Sequence, residues 1–337
     1  MTRSRLVVLS SLIVVGVGVV GALGALYLDP ARAAVGPLPA EGLALPGDAQ
    51  FVMGFDVHRF VASPFYQRFG KDPQGQGRPP GFTELEEKTG LNPERDVDRI
   101  VFAGRAADKG PEGGVVLVSG SFDRTKLSRA IETEGKGVTY RSHEGTTMYL
   151  FREGQGARSG AVAFLDDDTL VLGPRASVEA TLTNHAGGKV PMRSNAALVA
   201  LLESVKPGST FWAVGDQSVL SRLPLSVPGA SGQGSITLPP VKSVIVTGDL
   251  DPLVAVELTG EAVDNKAAQN LADMVRGLVA LASLQASQKP ELKDLASAVS
   301  VTTDATRVHV NVRVPYELID SLSGKRPVAA IGGPENR

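Results

Sequence analysis

The chain has 337 residues, of which 42% are hydrophobic and 21% charged, with a net charge of −2. This composition suits a packed body and excludes a nucleic-acid binder, which needs a concentrated basic face. No cysteine is present, which excludes disulfides, a thiol nucleophile, a thiolate metal site and a lipidated cysteine.

The run Leu6–Leu28 (LVVLSSLIVVGVGVVGALGALYL) carries no charge. As a helix it spans about 34 Å, enough to cross a bilayer core roughly 30 Å thick. Arg3 and Arg5 precede it and Asp29 follows. The positive-inside rule then keeps the N-terminus in the cytoplasm and exports the rest. The expectation is a single-pass anchor in the inner membrane over residues 1–28, with the body in the periplasm. Ala31-Arg32-Ala33 also fits a signal-cleavage pattern. A cut after Ala33 gives a soluble periplasmic or secreted body, although the apolar run is longer than a usual signal core.

Residues 29–47 are rich in Pro, Gly and Ala and read as a linker. A first strand follows over Ala49–Val57, with Phe51, Met53 and Phe55 on one face. Asp56 is placed to cap a short helix through Phe60. Ser63-Pro64 starts another, carrying Phe65, Tyr66 and Phe69. Residues 70–81 read as a loop. Next come a helix near Phe82–Thr89, strands at Arg99–Gly104 and Gly114–Ser121 around a turn at 107–113, and a helix Arg124–Glu134 behind Asp123. Two hairpins follow, one around His143-Glu144-Gly145 and one around Asp166-Asp167-Asp168. A helix at 175–185 closes this half.

The second half opens with a helix Asn195–Val205, a strand Ser209–Gly215 and a short helix Gln217–Leu223. Residues 224–240 are a second Pro/Gly/Ser-rich loop. A hairpin turns at Leu250-Asp251-Pro252. The helix 263–286 then carries Ala267, Leu271, Met274, Val275, Leu278 and Ala282 as one stripe. Pro290 starts a short helix. In the last hairpin Val308, Val310, Val312 and Val314 face one way, and His309, Asn311 and Arg313 the other. Tyr316–Leu322 is a closing helix and 323–337 a flexible tail. The order of elements in 48–190 recurs in 191–322. The expected fold is therefore α+β: two similar antiparallel-sheet halves with helices packed on one face, after one N-terminal transmembrane helix. Most aromatics lie between Phe51 and Phe164, so the second core must draw on Val, Leu and Ala.

Chemistry is sparse. No nucleophile elbow, paired Ser-Lys motif, zinc-protease helix or phosphate loop occurs. His58 stands two residues after Asp56, a pairing suited to a metal or a proton relay, while a cap explains Asp56 without either. Asp166-Asp167-Asp168 offers oxygen ligands for a hard cation but lacks the spaced ligands of a calcium loop, and an acidic turn accounts for it. Asp249 and Asp251 read alike. Phe60, Phe65, Tyr66 and Phe69 form a candidate partner or lipid surface, against the alternative of core packing. No cofactor or metal is expected.

The words Leu45-Pro46-Gly47-Asp48-Ala49-Gln50-Phe51-Val52 and Phe55-Asp56-Val57 resemble the opening of uncharacterised (DUF-type) bacterial envelope proteins. So does the hairpin Ala163–Gly173, followed by Ser177-Val178-Glu179-Ala180. The resemblance covers mainly residues 45–185. It implies a Gram-negative envelope setting and a duplicated α+β body behind an N-terminal hydrophobic segment, with no activity and no site residues to carry over. The reading is a membrane-tethered periplasmic binding or scaffold protein, not an enzyme, whose partner is another envelope protein or a lipidic ligand. The alternatives are a periplasmic carrier of hydrophobic cargo released after Ala33 and, last, a carboxylate-dependent enzyme using His58.

Overall fold

The structure, a computed structural model, describes residues 40–70, 82–107, 110–134, 137–152, 159–188, 191–220, 239–285, 294 and 297–322. The expected membrane segment, the short helix at Pro290, residues 71–81 of the loop expected over 70–81, residues 224–238 of the second loop and the tail lie outside them. Among the described residues no helix is long and apolar enough to cross a membrane.

In the first half, β1 (Phe51–Asp56) leads into α1 (Val57–Ala62) and a wide turn of helix, Tyr66–Gly70. Helices α2 (Phe82–Thr89) and α3 (Pro93–Asp96) precede β2 (Val97–Ala107) and β3 (Gly110–Gly120). Then come α4 (Arg124–Glu134), β4 (Thr139–His143), β5 (Thr146–Arg152), β6 (Ser159–Phe164), β7 (Thr169–Pro174) and α5 (Arg175–His185). The second half holds α6 (Ala196–Glu203), β8 (Phe211–Asp216), α7 (Gln217–Leu220), β9 (Val241–Asp249), β10 (Val254–Ala262), α8 (Asn265–Gln285), β11 (Val299–Asp304), β12 (Arg307–Val314) and α9 (Tyr316–Leu322). β2 and β3 run further than expected. Ala106 pairs with Pro111 and Ala107 with Gly110, so the ladder consumes most of the expected turn.

Among the described residues, twelve strands form one antiparallel sheet, in the order β11-β12-β10-β9-β8-β1-β2-β3-β7-β6-β5-β4. The two halves meet where β1 pairs with β8, Met53 lying opposite Ala213. β8 carries two consecutive aromatics, and each settles on a glycine of a different neighbour. Trp212 lies opposite Gly54 of β1, and Phe211 opposite Gly248 of β9. Successive side chains point to opposite faces, so one strand fills a gap on each side of the sheet.

The front face is the one that bears Phe51, Met53 and Phe55. Over the first half Leu85, Leu127 and Ile131 cover it, packing on Phe102, Val116 and Phe164. The back face there bears Val101, Leu117 and Val171, and is covered by Val178 and Leu182 of α5, while α6 packs on β8 at the seam and adds Leu198 and Leu202 to the same cluster. Helices thus lie on both faces, not one. The cause is local: Val115–Val118 and Thr169–Leu172 are buried at every position, and such runs need both faces shielded. Ala44 and Leu45, in the segment read as linker, are also buried.

In the second half the outer strands β10 and β12 alternate apolar with polar residues, while β8 is buried on both faces. The front face of this half is lined with valines, and α8 packs there through Ala267, Ala268, Leu271 and Ala272 against Val241, Ala262 and Val308. Its back face carries Glu257, Thr259, His309, Asn311 and Arg313, all at least partly exposed.

Candidate functional site

The expected aromatic group assembles, but mainly inward. Phe65 and Tyr66 are buried, at 9% and 6% exposure, while Phe60 and Phe69 are half-buried. Ser63 sets the local geometry. Its hydroxyl donates to the Phe60 carbonyl at the end of α1 and accepts from Tyr66 N at 3.1 Å, joining two helical turns. The rings then stack in sequence. Phe55 meets Phe60 at 5.1 Å, Phe60 meets Tyr66 at 4.9 Å, and Phe65 meets Phe69 at 5.0 Å.

Tyr316, from the other end of the chain, completes the knot at 6.3 Å from Phe65 and 6.2 Å from Phe69. Its hydroxyl donates to the Leu250 carbonyl, and the Tyr66 hydroxyl donates to Glu94. Arg68 lies over the Tyr316 ring at 5.5 Å and pairs with Asp320 at 3.1 Å and Glu317 at 3.6 Å. The knot therefore ties the two halves together on the front face. What it shows to solvent is a rim of Phe60 and Phe69 beside a charged margin of Arg68 and Glu317. Tyr316 sits far from the cluster in sequence, and nothing local signals its arrival.

The polar candidates do not converge. Asp56 accepts from Arg59 N at 2.8 Å as the cap of α1. His58 turns instead to Asp98 at 3.2 Å, both more than half exposed. In the acidic turn, Asp166 accepts from Asp168 N at 2.9 Å, and Asp167 pairs with Arg124 at 2.6 Å. The Arg124 guanidinium also lies over Phe164 at 4.7 Å, so the chain supplies its own cation for the turn. His143 meets Thr183 at 2.9 Å and His309 meets Thr259 at 3.0 Å. His185 ends α5, where a cation suits the helix dipole. Asp249 accepts from the Thr210 hydroxyl at 3.1 Å. Among the described residues, no three metal-ligating side chains gather. An open depression is lined by Asp216, Gln217, Ser218 and Lys242. In it Asp216 is occupied as a cap, accepting from Ser218 N at 2.8 Å and from the Ser218 hydroxyl.

Among the described residues, two carboxylates are held below their ordinary range, and both are helix caps or near one. Burial pushes Asp96 up, but hydrogen bonds from Arg95 and Asn92 N, and the Arg95 charge, outweigh it and hold it below the usual range. Asp123 is lowered mainly by the Lys126 backbone N–H. Compared with known proteins, the chain matches no family model, no curated protein and no solved structure.

Proposed function

We propose that this chain is a membrane-tethered binding or scaffold protein of the bacterial envelope, without catalytic activity. The apolar segment Leu6–Leu28 is its inner-membrane anchor, and the body works in the periplasm by docking another envelope protein or a lipidic ligand. One observation carries the non-catalytic part. The polar side chains with the best chemical credentials, Asp56, His58, Asp166, Asp167, His143 and His309, are each engaged in a cap, a turn or a local pair, and stand apart. Catalysis needs such groups to converge on one reacting atom.

The body is also read as two copies of one α+β unit. Strand order β1-β2-β3-β7-β6 matches β8-β9-β10-β12-β11, with β4 and β5 as an added hairpin. In both units the first strand ends in an aspartate, Asp56 or Asp216, that caps the helix after it. The resemblance of residues 45–57 and 163–180 to DUF-type envelope proteins agrees with this setting.

In vivo crosslinking of the full-length protein, with a body-only control, tests the reading. The expected result is a discrete envelope partner or lipid captured only by the tethered form. Wild-type protein that yields no adduct sinks it. The carrier reading has one observation in its favour. Met53, Ala213, Val244, Val246 and Leu258 form a half-buried apolar band on the front face. Mass spectrometry of the native N-terminus separates the two, because an intact Met1 or Thr2 rules out release.

A further inference from the structure

The sheet ends in two edge strands, β11 and β4, and they are treated differently. Free edges present unpaired N–H and C=O groups, a template for another strand. On β11, Arg313 N donates to the Ala298 carbonyl at 2.9 Å. Ladder alternation then turns the peptide groups of Val299, Val301 and Thr303 outward. Arg276 of α8 reaches round this edge and donates to the Val301 carbonyl at 3.2 Å, while its other nitrogen pairs with Asp273 at 2.8 Å. That edge is covered at its middle residue.

β4 is open. Its hairpin closes on Glu144-Gly145, both at positive φ, with His143 opposite Thr146. A two-residue turn of this kind makes the flanking pair hydrogen-bonded. The outward peptide groups are therefore those of Tyr140 and Ser142. No partner for them occurs among the described residues. Tyr140 is 75% exposed, an unusual position for a large aromatic. Arg141 is exposed as well and has no ion pair among the described residues.

We propose that β4 is a strand-addition site. It takes an extended segment of a partner protein, with an apolar residue over Tyr140 and an acidic residue beside Arg141. Backbone hydrogen bonds to Tyr140 and Ser142 supply the register, and the two side chains supply selectivity. A second copy of this chain is the poorer occupant. Two β4 strands paired about Arg141 set like charges opposite each other, and the strand is only five residues long. The proposal rests on the binding reading above and names its surface.

The test uses the full-length protein in detergent and a short peptide of alternating Val and Thr with one central Glu. The expected result is saturable binding that protects the Tyr140 and Ser142 amides from hydrogen exchange. Ser142→Pro removes an outward N–H and leaves the β4–β5 ladder intact, and it should weaken binding roughly tenfold or more. Arg141→Glu should shift preference to the same peptide carrying Lys. Unprotected amides, or binding indifferent to both substitutions, overturn the proposal. If Ser142→Pro keeps every in vivo crosslink of the wild type, this edge is refuted while the binding reading stands. If the wild type yields none, both fall.

Discussion

Trp212 and Gly54 lie opposite each other across the seam that joins the two halves of the sheet. A Cβ at Gly54 would stand 2.5 Å from Cε2 of the indole, so the tryptophan occupies the space that a side chain would take. On the other face a Cβ at Gly248 would stand 2.0 Å from Cζ of Phe211. Both rings are fully buried and neither can swing away. Gly54→Ala and Gly248→Ala are each expected to cost about 1–3 kcal/mol through overpacking. Urea unfolding should show a lower midpoint with an unchanged slope.

The aromatic knot predicts a second effect. Tyr316 donates its hydroxyl to the Leu250 carbonyl, and both residues are buried. Tyr316→Phe keeps the ring and leaves the acceptor unsatisfied, at a cost of about 1–2 kcal/mol. Phe65→Ala empties a core position and should cost about 3–5 kcal/mol. Thermal or denaturant melts of the two variants should fall in that order.

Asp96 sets an acid limit. Its folded pKa lies below its unfolded one, so its contribution is complete above the unfolded value, near pH 4, and fades as pH falls through the folded value. Asp96→Asn should therefore lower stability at neutral pH, and the gap to wild type should narrow below about pH 4. Denaturant midpoints measured from pH 7 to pH 2.5 check the sign.

Asp56 and His58 separate a cap from a reactive pair. Asp56→Ala removes the acceptor for Arg59 N and should cost about 1 kcal/mol. His58→Ala breaks only an exposed contact with Asp98 and should shift the melting midpoint hardly at all. A large loss with His58→Ala would point to a role that this geometry does not contain.

Arg276 shields the β11 edge. Arg276→Ala uncovers the Val301 carbonyl on a strand with no charge before Asp304, and such edges associate. Sedimentation over a concentration series should show more self-association than wild type. Arg276→Lys, which keeps a donor, should lie between the two.

Much of the fold was readable one strand at a time. The valines of β12 face one way and His309, Asn311 and Arg313 the other, because alternation is local and has a period of two. The caps at Asp56 and Asp123 were equally legible, since each acts within three residues. The unbroken apolar run Val115–Val118 already contained the second covered face, although helices on one face were expected. Of the candidate site, its four aromatics were found, with core packing weighed against an exposed surface, but not the residues that receive them. Phe65 and Tyr66 turn inward because Tyr316, Glu94 and Leu250 come from distant segments to receive them.

The sequence by itself determined the elements, their faces, their caps and the uncharged run Leu6–Leu28, because each rests on residues close together in the chain. Only the tertiary structure decided that β1 pairs with β8 and makes one sheet where two were expected. It also decided which polar groups meet and which edge stays open. Those outcomes depend on contacts between residues distant in the chain, such as Gly54 with Trp212 and His143 with Thr183, and pairing at that distance is chosen by the fit of whole surfaces.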